Sequence, residues 1–196
     1  MKRLEVVLAS QSPRRQELLK FLLDSFTIRV SDVEETLPQG IAPDRAVELL
    51  AQRKAQAVLP DCPQALVIGA DTVVAVDGLI LGKPQDAADA AAMLRRLSGK
   101  RHQVYTGVAL CHEQGCEVFS CCTEVEFAAL SEQEIAWYLA TGEPFDKAGS
   151  YGIQGYGARF VRAVYGDYFN VMGLPIQSIY QKLGSLYNNL YPERRI

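Results

Sequence analysis

The sequence predicts an α/β fold, or its close relative α+β, built on a mixed and strongly twisted sheet flanked by helices. Three observations carry the prediction. Short runs rich in Val, Leu and Ala, at residues 4–9 and 65–69, read as buried strands. Other stretches repeat apolar residues at helical spacing, as Leu18, Leu19, Leu22 and Leu23 do. Strands and helices do not alternate strictly, and hairpin signals interrupt them, so the sheet must be mixed.

Taken in order, residues 4–9 form a first strand. Ser12-Pro13 then opens a helix over 13–24, because Ser is a good N-cap and Pro suits the first helical position. Residues 27–30 give a second strand, and 31–43 a polar, turn-rich loop carrying Asp32, Glu34 and Glu35. A helix over 44–59 has Ala46, Val47, Leu50, Ala57 and Val58 on its apolar face, and Pro60 and Pro63 end it. The strand at 65–69 stops at Gly69-Ala70-Asp71-Thr72; 73–76 and 79–81 then pair across Asp77-Gly78. Asp86 caps an Ala-rich helix that runs to Leu97, and Gly99 stops it. Residues 103–112 and 116–127 are long strands around a turn at 113–115. Ser131-Glu132-Gln133-Glu134 is a capping box, and Gly142 and Pro144 terminate its helix. Residues 158–164 and 168–171 read as a hairpin across Gly166-Asp167; a last helix spans 175–187, with a fraying tail at 191–196.

At 196 residues, without repeats or low-complexity segments, the chain makes one domain, 1–196, with enough length for a real core. Twenty Lys and Arg against 23 Asp and Glu argue against a broad nucleic-acid-binding or polybasic membrane surface, while leaving room for a local basic pocket. No apolar run approaches the ~18 residues a membrane span needs. The first residues do not resemble a secretion signal, so the cytoplasm is the expected location. The five cysteines are odd in number, which argues against a disulfide framework; Cys111 and Cys116 are expected as thiols in a hairpin, not as metal ligands.

Four stretches concentrate chemistry. In "ASQSPRRQELL" (9–19), a strand, a small turn and a helix start aim free amides at one point. Arg14 and Arg15 stand there although the helix dipole disfavours cations by about 0.3–1 kcal/mol. They are either surface arginines or part of an anion pocket, and this stretch alone leaves both open. Asp71, at the end of an apolar strand, is either a turn former or a carboxylate that binds a metal or polarises water. Lys83 in "GKP" and Lys54 on its helix are solvated lysines or phosphate contacts. In residues 145–157, glycines surround Asp146, Lys147, Tyr151 and Gln154, which suits close backbone approach to a ligand and the reading of a base edge by Gln154.

Together, "LASQSPRRQELL" (8–19), "GADT" (69–72), "GKP" (82–84), "DKAGSYGIQG" (146–155) and "NVMGLP" (170–175) resemble the Maf, or septum-formation-inhibitor-like, nucleotide pyrophosphatases. The resemblance covers nearly the whole chain. It implies an α/β fold with a deep cleft, related to inosine triphosphate pyrophosphatases. It also implies hydrolysis of a nucleoside triphosphate to the monophosphate and pyrophosphate with Mg²⁺ or Mn²⁺. Asp71 matches the family's proton acceptor. Arg14, Thr72 and Gln154 match specificity positions and point to the dTTP and UTP subgroup. Ser10, Arg15, Lys54, Lys83 and Lys147 match phosphate-pocket positions, with Arg14 assigned to substrate choice and Arg15 to phosphate. Glu35, with Asp71, matches an acidic metal position. Asp167 departs from the serine more usual there. A homodimer is carried over, with no nucleic-acid polymer or membrane as partner. The alternatives are a 7-methyl-GTP or non-canonical purine triphosphate pyrophosphatase, and a nucleotide-binding regulator of septum formation.

Overall fold

The computed structural model describes residues 5–30 and 32–190, with side chains to residue 184, so the expectations for Leu4, Ser31 and the 191–196 tail lie outside it. In chain order the strands are β1 (Val6–Leu8), β2 (Thr27–Ile28), β3 (Leu66–Val76), β4 (Leu79–Leu81), β5 (Arg101–His112), β6 (Gly115–Phe127) and β7 (Val161–Tyr165). The helices are α1 (Pro13–Leu19), α2 (Pro43–Val58), α3 (Ala87–Leu97), α4 (Glu132–Ala140), α5 (Tyr168–Met172) and α6 (Ile176–Leu190). One mixed sheet runs β2-β1-β3-β5-β6-β7, with β4 paired to the far end of β3. The parallel pairs are β1 with β2 and with β3; all others are antiparallel. The mixed sheet flanked by helices is thus as expected.

Several local signals act as read. Asp77 and Gly78 both take positive φ (51° and 75°), the mirror-image turn that matches strand twist. Asp86 accepts from the Asp89 amide, and both halves of the Ser131–Glu134 capping box form.

Four expectations change. The first helix stops at Leu19, where the amides of Phe21 and Leu22 donate to Leu18 and Leu19, three residues back, in a tightening last turn. Residues 65–69 and 73–76 are not separate strands: β3 runs unbroken through Asp71. Residues 168–171 are helical, because Asp167 caps the Phe169 amide and Gly173 closes the end at φ 106°. Asp167 therefore does the capping that a serine would do. Cys111 and Cys116 are joined as a disulfide, since the short turn between β5 and β6 sets them directly opposite each other. Cys62, Cys121 and Cys122 are free thiols.

The sheet separates its two faces by strand alternation. Leu66, Ile68 and Ala70 of β3 join Leu8, Leu18, Leu19 and Ile179 in one core, under α1 and α6. Val67 joins Val7, Ala51, Ala55 and Val58 in another, under α2. On the α2 face the approach is very close. A Cβ on Gly69 would lie 2.2 Å from the Ala51 carbonyl oxygen, and one on Gly107 2.3 Å from that of Val47. These two glycines let α2 lie on the sheet, and α2 carries Lys54. Gly69→Ala is expected to cost about 1–3 kcal/mol by overpacking and to shift Lys54 as α2 lifts; urea melts check the cost.

A third core lies at the far end of β3, around Val74, Leu94, Phe127, Tyr138, Tyr151 and Phe160. His102 is wholly buried there, edge-on to Phe127 and Tyr151. Its Nε2 lies 2.8 Å from the Tyr151 hydroxyl, and its Nδ1 has no partner among the described residues. Burial pushes its pKa from 6.5 down to about 4. As pH falls through 6.5 the unfolded chain binds a proton that the folded chain refuses. Stability from this group is therefore complete above 6.5, falls by about 1.4 kcal/mol per pH unit below it, and levels off below about 4. Denaturant melts across this window should show that slope in the wild type and lose it in His102→Gln.

Candidate active site

A gap in the sheet creates the site. One edge of β3 is paired with β1 at Leu66, Val67 and Ile68, and with β4 at Val74, Ala75 and Val76. Between them, from 69 to 73, that edge has no neighbouring strand among the described residues, while the other edge stays paired with β5. "GADT" thus sits in mid-strand, and the opening is made by the end of β1 rather than of β3. Because alternate residues face opposite sides, Asp71 points to the α2 face and Thr72 to the face of α1 and α5.

On the α2 face Lys54 Nζ lies 2.6 Å from Asp71 Oδ1 and 2.6 Å from Glu35 Oε1. Asp71 and Lys54 are mostly buried, whereas the Glu35 side chain is 58% exposed. Burial would raise the Glu35 pKa, but the bond from Lys54 and the charges of Lys54, Lys83 and Arg15 bring it below the ordinary value. Lys83 stands exposed on the rim.

On the other face Arg15 fills the gap. Its Nη1 donates to the open Ala70 carbonyl (2.9 Å) and to Ser10 Oγ (3.4 Å). Its Nη2 donates to Thr72 Oγ1 (3.0 Å), and its Nε to the Gly173 carbonyl (2.9 Å). The residue as a whole is half-buried, but its guanidinium is packed among protein atoms, and burial lowers its pKa. Arg14 instead reaches Asp146 at 3.5 Å and stays partly exposed. The amides expected to bind an anion are partly used: Ser10 Oγ accepts from the Ser12 amide and Ser12 Oγ from that of Arg15.

The glycine-rich stretch closes the cleft. The Gly149 amide donates to the Gly82 carbonyl (3.0 Å), which ties this stretch to "GKP". Gly149 has φ 68°, and a Cβ there would lie 2.8 Å from Val74 Cγ2. Lys147 Nζ donates to the Glu143 carbonyl and to Asp146 Oδ1. Gln154 is exposed on the cleft wall. The sequence reading missed Glu143, whose carboxylate accepts from the Tyr138 hydroxyl and the Tyr156 and Gly157 amides. Burial would raise its pKa, yet those three donors hold it below the ordinary range. Also missed were Thr106, directly opposite Thr72 on β5, and the enclosed side chain of Asn170. Only the strand register could have brought Thr106 to notice.

All the residues singled out from sequence, Ser10, Arg14, Arg15, Glu35, Lys54, Asp71, Thr72, Lys83, Lys147 and Gln154, line one cleft of about 1160 Å³. Asp71 and Glu35 are hard oxygen donors that already converge on one cation, the Lys54 ammonium. Such a pair suits Mg²⁺ or Mn²⁺, which take one or two carboxylates and complete their shell with water and phosphate oxygens. Among the described residues no group of three or more His, Cys, Asp or Glu could hold a metal by itself.

The profile of the family described as Maf-like protein matches residues 5–186. A dTTP/UTP pyrophosphatase of Bacillus pumilus is 52% identical over 172 residues, 88% of this chain and 91% of that one. One from Symbiobacterium thermophilum is 51% identical over 179 residues, 91% and 92% of the two chains. Among solved structures, a HAM1 protein from Coxiella burnetii aligns at TM-score 0.53 and 18% identity, covering 93% of this chain and all of that one. The Staphylococcus aureus Ham1 protein aligns at 0.50 and 18%, over 80% and 79%. At that identity the likeness is one of fold.

Proposed function

This chain belongs to the Maf-like protein family, and on that premise we propose that it hydrolyses dTTP and UTP to the nucleoside monophosphate and pyrophosphate. The observation that carries the proposal is the Asp71 carboxylate, held by Lys54 at a gap in the sheet and facing a cleft lined by cations. The cleft motifs contain no Cys–His or Ser–His pair to supply a nucleophile, so water is the attacking group. Asp71 takes the proton of that water as its oxygen bonds to phosphorus, and the α–β anhydride breaks to release pyrophosphate. Lys54 fixes the carboxylate in place. Lys83, Lys147 and Arg15 stabilise the polyphosphate charge, with Ser10 beside them. Arg14, Thr72 and Gln154 select the base. Asp71 and Glu35 would hold a divalent cation, which when bound neutralises phosphate charge. A cytoplasmic homodimer, with residues 1–196 acting as one domain, completes the proposal; light scattering reads its mass.

A panel of nucleoside triphosphates assayed for pyrophosphate release tests this. dTTP and UTP are expected to lead. A lead by 7-methyl-GTP or by inosine or xanthosine triphosphate would overturn the base assignment, and no release from any of them would overturn the enzyme.

A further inference from the structure

The hydroxyl of Thr72 belongs to a chain of hydrogen bonds in which every proton can be assigned. Thr106 Oγ1 lies 2.8 Å from the Asn170 carbonyl oxygen and 2.9 Å from Thr72 Oγ1. Each hydroxyl has one proton, and a carbonyl has none. Two oxygen–oxygen contacts this short need one proton each. Only one arrangement supplies them: Thr106 donates to Asn170, and Thr72 donates to Thr106. Thr72 must then accept from Arg15 Nη2, at 3.0 Å, and a guanidinium has no alternative to donating. The order is therefore fixed from Arg15 through Thr72 and Thr106 to Asn170. The end of the chain is rigid too, since Asn170 Nδ2 donates to the Val104 carbonyl and to Thr123 Oγ1. Thr106 and Asn170 are wholly buried; Thr72 is half-buried and lines the cleft.

We propose that Thr106 is a positioning residue for base selection: it takes the Thr72 proton, so that Thr72 offers the cleft only a lone pair. A ligand must then bring a hydrogen-bond donor. The ring imide N3–H of uracil or thymine supplies one; cytosine has an unprotonated N3 at that place and would set lone pair against lone pair. Rejection of a wrong base by an unpaired polar group is stronger than rejection by shape. The proposal rests on the pyrimidine triphosphatase assignment and adds the atom that reads the ring.

The test compares kcat/KM for UTP and CTP in the wild type, Thr106→Val and Thr106→Ser, with N3-methyluridine triphosphate as a third substrate. The wild type is expected to favour UTP over both others by at least about tenfold. In Thr106→Val the Thr72 proton is free to turn into the cleft and meet N3 of cytosine. The UTP-to-CTP ratio should fall by about tenfold, and Thr106→Ser should restore it. The Asn170 carbonyl keeps a second donor, the Gly173 amide at 3.0 Å, so the fold around it has support when the hydroxyl is removed. A uniform loss on both substrates with the ratio unchanged would overturn the relay. So would wild-type turnover of N3-methyluridine triphosphate at the UTP rate, a result that needs no variant to fold. Absence of pyrophosphate release from UTP and dTTP in the wild type would overturn the functional assignment itself, a distinct outcome.

Discussion

Asp71→Asn is expected to reduce pyrophosphate release from dTTP by about 10²–10⁴-fold, the usual contribution of a positioned general base. An amide matches the carboxylate in shape but cannot take a proton from water. Thermal stability should change little. The Lys54 ammonium loses one carboxylate 2.6 Å away but keeps the other, Glu35, at the same distance, so no buried charge is abandoned. Turnover measured alongside a thermal melt separates the two effects. Turnover at the wild-type rate with Mg²⁺ or Mn²⁺ present would remove Asp71 from the chemistry.

Arg15→Ala is expected to fail in the opposite way, through the fold and for every substrate. Its guanidinium donates to two backbone carbonyls and two hydroxyls across the gap in β3. Bonds from a charged donor contribute about 1.5–3 kcal/mol each, and their loss strands acceptors in a half-buried place. A loss of at least about 2 kcal/mol in urea melts, with kcat/KM lowered for all triphosphates together, is the expected result. Arg14→Ala should leave stability nearly unchanged, because its ion pair with Asp146 at 3.5 Å is partly exposed and such pairs contribute little. It should instead alter the ranking of bases in the nucleotide panel. If the two variants lowered all substrates equally and melted alike, the separation of the neighbours would be wrong.

Why two cations crowd the start of α1 was visible as a question in the sequence, and its answer was not. The pull on Arg15 comes from the Ala70 and Gly173 carbonyls, residues far away along the chain. The same limit explains the other misreadings. Gly69 and Asp71 looked like strand punctuation, yet the glycine is demanded by the passage of α2 and the acid by Lys54. Both are tertiary reasons that outweigh local propensity. Tyr168–Met172 carries aromatic and β-branched residues, but its end caps and the buried bonds of Asn170 make it helical. Signals contained in a few residues were legible: the turn at Asp77-Gly78, the Asp86 cap, the Ser131–Glu134 box. Of the residues singled out that line the cleft, all but Glu35 and Lys54 stand in the quoted motifs. Glu143, which lines the cleft, and Thr106, buried behind Thr72, belonged to no motif read for chemistry.

The interrupted edge of β3 has a consequence for how safely the protein can keep an open site. Exposed strand edges recruit foreign strands and seed aggregation. This one is stopped at both ends by its own neighbours, β1 and β4. Only positions 69–73 are left bare, shorter than the six or seven residues that a self-propagating β segment typically uses. Inside that window Arg15 occupies the Ala70 carbonyl and Asp71 adds an inward charge. An invading chain would have to displace the Arg15 guanidinium from that carbonyl and pass beside the Asp71 charge. The window proposed to take a nucleotide is thereby closed to a polypeptide.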